Sequence, residues 1–158
     1  MAKILKIVTH PDPILRKKSK EIDLERLKNK DFQKLCDDMI LTMKEKDGVG
    51  LAAPQIGKNI RIIVVSTKEG PVCAINPTIT KKSLLKEWDE EGCLSVPDTF
   101  GKVRRHKNVI CCFVDREGNK RSIDAKGFMA RIFQHEIDHL NGTLFIDKAK
   151  NIKEINNY

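Results

Sequence analysis

Hydrophobic positions along this chain follow two periods. From residue 32 to 43 the apolar side chains Phe32, Leu35, Cys36, Met39, Ile40 and Met43 recur at three- and four-residue spacing, which predicts a helix with one buried face. Asp31 is placed to cap its start, and Gly48 and Gly50 end the helical pattern. Residues 60–66 (IRIIVVS) are almost continuously apolar and β-branched, the pattern of a strand covered on both faces. Residues 72–75, 84–88 and 109–115 read as further strands, and Glu117-Gly118-Asn119 as a hairpin turn into residues 120–123. Helical spacing returns near Lys126 or Gly127, where Met129, Phe133, Ile137 and Leu140 share a face and Gly142 is placed for a left-handed stop. Strands hold the middle and helices the flanks, without strand–helix–strand alternation, so the expected class is α+β. No repeat, low-complexity tract or linker interrupts residues 1–158, which read as one domain.

Composition narrows the setting. No apolar run approaches the ~20 residues of a membrane span, and MAKILKIVTHPDP lacks a signal peptide's apolar core and cleavage site. A cytoplasmic protein with no membrane partner is expected. The five cysteines are odd in number and lack framework spacing, which predicts free thiols. Cys36, Cys73, Cys111 and Cys112 read as small buried apolar residues, with Cys111 and Cys112 on opposite faces of a strand. The net charge of +8 comes from dispersed lysines without a nucleic-acid-binding module, so no specific nucleic acid is expected. Steering toward a large anionic assembly is the secondary reading of that charge.

Chemistry concentrates in His135-Glu136-Ile137-Asp138-His139. On a helix, His135 and His139 aim two imidazoles at one point, and Glu136 reaches a water held there as its general base. A catalytic metal usually takes a third protein ligand. Continuing the pattern as a metzincin puts Phe145 where the third histidine belongs. Glu154, the one glutamate after His139, sits in a polar tail. His10 and His106 lie in charged, turn-like surroundings that favour solvated imidazoles. Cys93, inside Glu91-Gly92-Cys93-Leu94-Ser95-Val96-Pro97, is the better candidate, because small and turn-forming residues bracket a thiol that binds metals as thiolate. Two other classes stay open: a small zincin-like endopeptidase with a downstream ligand, and a basic ribosome- or RNA-associated protein with a structural metal.

Three separated segments resemble the signature motifs of peptide deformylases: Gly48-Val49-Gly50-Leu51-Ala52-Ala53-Pro54-Gln55, Glu91-Gly92-Cys93-Leu94-Ser95, and residues 134–142 (QHEIDHLNG). Their order and separation also match, and residues 10–16 (HPDPILR) resemble the family's N-terminal segment. The resemblance implies an α+β domain with antiparallel or mixed sheets around a central helix that carries the histidines. It implies removal of the formyl group from N-formylmethionine of nascent polypeptides, with one divalent metal on Cys93, His135 and His139. That metal is typically Fe(II), with Zn, Ni or Co as substitutes.

The implied partners are N-formylmethionyl nascent peptides and, transiently, the ribosome, for a monomeric enzyme. Phe100 stands where some relatives carry arginine, which bears on peptide-backbone recognition. The chain after Gly142 is too short for the C-terminal helix some relatives dock with, so a ribosome contact would use another surface. In the mechanism expected on this basis, Glu136 moves the proton while the Gln55 amide and the Leu94 N–H steady the developing oxyanion. Gly48 and Gly50 let the backbone approach substrate, with the Gly50 carbonyl as an acceptor. Val49, Phe128 and Ile132 are candidates for the methionine pocket, and Glu91 and Asp138 for groups that orient the ligands.

Overall fold

A computed structural model describes residues 1–155 of the chain. Its elements are, in order, α1 (Lys30–Glu45), β1 (Gly50–Ala52), β2 (Ile62–Thr67), β3 (Gly70–Lys82), β4 (Lys86–Cys93), β5 (Val96–His106), β6 (Asn108–Val114), β7 (Lys120–Lys126), α2 (Phe128–Leu140) and β8 (Lys150–Glu154). Every pairing between these strands is antiparallel. One sheet has the order β1-β2-β3-β6-β7 and the other β4-β5-β8. The α+β expectation holds.

Strand alternation explains why β2 carries no polar face until Ser66. Ile63 and Val65 turn toward the cluster built on α2, with Phe113, Phe133, Ile137 and Leu140. Ile62 and Val64 turn toward the cluster built on α1, with Phe32, Met39 and Met43. The larger sheet therefore lies between the two helices, and each such side chain contributes about 1.5–3 kcal/mol by leaving water. α2 touches β1, β2 and β7 of this sheet and β5 of the smaller one, so the histidine-bearing helix is central. A third cluster, Leu15, Val96, Val103, Leu144 and Phe145, fills the space beneath the smaller sheet.

Several local expectations are corrected. Asn29, not Asp31, caps α1; its side chain accepts the Asp31 N–H at 2.7 Å. The helix also stops before the glycines. Asp47 takes the left-handed conformation, and the Gly48 N–H closes on the Met43 carbonyl. Leu84 and Leu85 are exposed and precede β4, which runs on to Cys93. β3 continues to Lys82 through two register shifts, and β7 to Lys126. β1, β5 and β8 lie where the hydrophobic pattern predicts no strand. Cys112 is half-buried, with Sγ near the Thr80 and Ser122 hydroxyls, whereas Cys111 behind it is fully buried.

The start and stop of α2 agree with the reading. Gly127 caps it with positive φ, and Gly142 beyond it has φ 76°. A Cβ at Gly142 would run into the Arg16 carbonyl, so glycine serves both the turn and the close approach. The Leu140 carbonyl at the helix end accepts from the Ser19 N–H at 2.8 Å and Arg61 Nη1 at 3.0 Å.

Candidate metal centre

Four-residue spacing on α2 puts the His135 and His139 rings 5.0 Å apart, edge to face. Cys93 reaches them because β4 shifts register between Gly92 and Cys93, then turns back through Leu94-Ser95 into β5. Its Sγ lies 3.3 Å from His139 Nε2. One ligand atom from each of Cys93, His135 and His139 falls within 4.8 Å of the others, a grouping capable of holding a metal ion. Phe145, at the position tested for a third histidine, stacks on His135 instead. Glu154 lies exposed on β8, and His10 is exposed. His106 turns Nδ1 to the Ser83 carbonyl at 2.7 Å.

The His135 ring is fixed from behind. Nδ1 meets Glu91 Oε1 at 2.8 Å, which leaves Nε2 for the centre. Glu91 is itself gripped by Arg105 at both oxygens, 2.9 Å each, and by Arg131 Nη1 at 2.6 Å. Arg105 continues to Asp138 at 2.5 Å, and Asp138 accepts Lys148 at 2.9 Å. Burial alone would raise the Glu91 carboxyl, but the hydrogen bonds from Arg105 and His135 outweigh it and hold the group well below the ordinary range. Arg131 also donates to the Val103 and Glu87 carbonyls, which ties α2 to both β4 and β5.

Glu136 lies on the other side of the two histidines, 5% exposed, with Oε1 4.0 Å from His135 Nε2. Burial pushes its carboxyl up to about 7, against the opposing charge of His135. Its Oε2 is buried without a hydrogen-bond partner among the described residues. The carboxylate sits against β1 at Gly50, where a Cβ would come within 2.8 Å of both Cγ and Oε1. Burial pushes His135 down, but its bonds to Cys93 and Glu91 and the Glu136 charge reverse this, to about 10. His139 is lowered by burial and by the charge of His135.

Gln55 comes from a short 3-10 turn after β1 (Ala53–Ile56). Its Oε1 accepts the Ala52 N–H at 2.9 Å, so its Nε2 faces the centre. That amide donates to Ser95 Oγ at 3.2 Å and lies 3.5 Å from Cys93 Sγ. Leu94 occupies the turn directly beyond the thiol. A cleft of about 410 Å³ opens over these groups, lined by Gly48, Val49, Gly50, Phe128 and Ile132, among others. Val49 and Phe128 are 45% and 63% exposed at its rim, and Ile132 is 5% exposed in its wall.

The residues that the deformylase resemblance assigns to chemistry thus lie around one cleft, apart from Asp138, which stands behind it. Arg131 and Ser95 were not anticipated. A charge on the histidine-bearing face of α2, one turn before His135, was the available signal for Arg131, because such a charge, where the face is buried, requires an acid to meet it. Ser95 carried none beyond its place beside Cys93. Phe100 lines the cleft and packs on Gly92, where a Cβ would come within 2.8 Å of its ring.

A thiol and two imidazoles match the soft and intermediate donors that transition metals take. Three protein donors leave coordination positions for water and substrate, as catalytic sites require. The unpartnered Glu136 oxygen beside them is where a base would receive a proton.

Comparison with known proteins agrees. The family model for polypeptide deformylase matches residues 4–154. A peptide deformylase of Pelotomaculum thermopropionicum is 47% identical over 152 residues, 96% of each chain. The crystal structure of a Thermotoga maritima peptide deformylase superposes with a TM-score of 0.87 at 39% identity, over 93% of this chain and 98% of that one. A Met-Ala-Ser-bound class I type b peptide deformylase from Acinetobacter baumannii superposes with a TM-score of 0.88 at 34% identity, over 93% and 100%. With the family model matched over residues 4–154 and relatives matched over nearly their full length, the chain belongs to the polypeptide deformylase family of metal-dependent hydrolases.

Proposed function

We propose that this chain hydrolyses the formyl group from the N-terminal N-formylmethionine of newly made polypeptides, releasing formate. The observation that carries this reading is the convergence of Cys93, His135, His139, Glu136 and Gln55 on one cleft. Its lining has room for an apolar first side chain. Cys93, His135 and His139 would hold one divalent cation, which when bound supplies Lewis-acid activation of water and of the formyl oxygen. Glu136 takes the proton of the attacking water and delivers it to the departing amine. Its environment, with a carboxyl near neutrality, suits both halves of that transfer. The Gln55 amide and the Leu94 N–H donate to the oxygen of the tetrahedral adduct, and Gln55 is aimed in advance by its bond to Ala52. The Gly50 carbonyl accepts the formamide N–H, with Gly48 easing the approach of the backbone. Val49, Phe128 and Ile132 flank the methionine side chain, and Glu91, backed by Arg105 and Asp138, keeps the His135 ring in place.

Purified protein given formyl-Met-Ala-Ser and its acetyl analogue should release formate from the first and leave the second intact. Equal hydrolysis of both, or cleavage of internal bonds, would overturn this assignment. The family resemblance favours Fe(II) at the centre, with Zn, Ni or Co able to substitute. An iron-loaded enzyme should lose activity in air while a nickel-loaded one persists, and an air-stable native enzyme would remove iron. The free thiols fit a cytoplasmic setting, and the +8 charge fits transient encounter with the ribosome as a monomer. Sedimentation with ribosomes that does not weaken with salt would count against the charge-steered encounter.

A further inference from the structure

Two thiols outside the metal centre face one another in the core. Cys36 is on the buried face of α1, and Cys73 on β3 opposite Val64 of β2. Both belong to the cluster between α1 and the larger sheet, and both are buried. Their sulfurs are 3.0 Å apart, with the Cys73 S–H donating to Cys36. A disulfide needs a separation of about 2.05 Å, so the bond forms with roughly 1 Å of approach. Cys111 is an internal contrast: it is equally buried but has no thiol partner among the described residues, and burial, with a smaller push from Cys112, raises its thiol to about 12.

The two sulfurs are chemically unequal. The Cys73 hydrogen bond, and more weakly the charge of Arg116, lower the Cys36 thiol against the opposing effect of burial. Arg116 is held at that end of α1 by Gln33 and Asp37. The bond to Cys36 and burial both raise Cys73, which keeps its proton.

We propose that Cys36 and Cys73 form a reversible dithiol–disulfide couple that cross-links α1 to β3 within the folded enzyme, separately from the metal ligand Cys93. A peroxide is the oxidant. The Cys36 thiolate attacks one peroxide oxygen, breaking the O–O bond to give a sulfenic acid and hydroxide, which takes up the proton to become water. The Cys73 sulfur then attacks the Cys36 sulfur, and the departing hydroxyl leaves as a second water with the Cys73 proton. Two thiols lose two electrons and one peroxide gains them. Because the pair is buried, peroxide enters through local opening of α1, so the reaction is slower than at an exposed thiol. The closed loop contains Gly48, Gly50 and Gln55, so the cross-link spans the segment that forms one wall of the cleft.

The test uses zinc-loaded holoenzyme, in which Cys93 is a ligand, exposed to a modest excess of hydrogen peroxide. The expected product is lighter by about 2 Da, and a non-reducing tryptic map joins peptide 35–44 to peptide 69–81. Its Tm rises by roughly 5–15 °C, because the cross-link restricts a long loop of the unfolded chain, and dithiothreitol reverses the change. Cys36→Ala should abolish the cross-link and the rise, while Cys112→Ser should keep both. If that first variant does not fold, the wild-type map still decides. A map showing oxidation at Cys93 or Cys112 with peptides 35–44 and 69–81 unlinked would overturn the proposal. So would a cross-link that forms only in urea, or one that lowers Tm.

Discussion

Glutamine at position 136 would keep the volume of the glutamate but could not accept a proton. Glu136→Gln should lower formate release by at least ~10²–10⁴-fold while the metal content by elemental analysis stays unchanged. Retained turnover would remove Glu136 as the base. Gly50 offers a less obvious test, since its role is to leave room. In Gly50→Ala the new methyl would occupy the space of the Glu136 carboxylate, 2.8 Å from Cγ and Oε1. Turnover should fall by about 10–100-fold through misplacement of the base, with thermal unfolding changed far less. Sequence made Glu136 legible, because a glutamate between two histidines on a helix has a defined chemistry. The part played by Gly50 was legible only in outline. Its nearest competitor for space lies far along the chain, and no local pattern names it.

At the scale of elements, α2 is held by polar contacts as much as by its apolar stripe. Arg131 bonds Glu91, Val103 and Glu87 from a side chain 5% exposed. Arg131→Ala strands part of a buried charge network and should cost about 3–5 kcal/mol in urea unfolding. A loss under about 1 kcal/mol would show that the network reorganises without it. α1 is tied to the N-terminal segment by Asp38, whose carboxylate accepts the Lys3 N–H and Lys34 Nζ, each at 2.8 Å. Burial opposes the charge, but these two bonds prevail and lower the carboxyl below its ordinary 3.8. A depressed carboxyl stabilises the fold above the unfolded value and loses that contribution as pH falls through the folded one. The stability gap between wild type and Asp38→Asn should be level above about pH 5 and close below about pH 3.8. A gap that stays constant down to about pH 2, measured by urea midpoints, would refute the linkage.

β1 is only three residues long, too short to carry a period, whereas β5 and β8 went unseen because their letters lack a hydrophobic pattern. In β5 the inward positions include Gly101, Val103 and Arg105, so burial alternates while hydrophobicity does not. Arg105 is tolerated there because Glu91 and Asp138 receive it, and neither partner is visible from the letters of β5. β8 is exposed along its whole length and pairs through its backbone, which leaves no hydrophobic signature. Where burial and apolarity coincided over six residues or more, as in α1, β2, β6 and α2, the pattern sufficed.

For the molecule as a whole, the two strand orders have a consequence at the cleft. β1 is the outer strand of the larger sheet and β4 the outer strand of the smaller. Gly50 of β1 and Glu90, Glu91 and Gly92 of β4 line the same opening. An extended polypeptide laid between two sheet margins meets main-chain donors and acceptors on either side. Such contacts are blind to side-chain identity, so discrimination falls on the blocked first residue, and the residues after it are gripped without being read. Formyl-Met peptides varied at the third position should then differ little in kcat/KM. Methylating a backbone amide in the same stretch should cost about tenfold or more, roughly one good hydrogen bond. The opposite ranking would move recognition to side chains. An enzyme arranged this way is a generalist by topology, able to process any formylmethionine-headed chain whose next few residues lie extended.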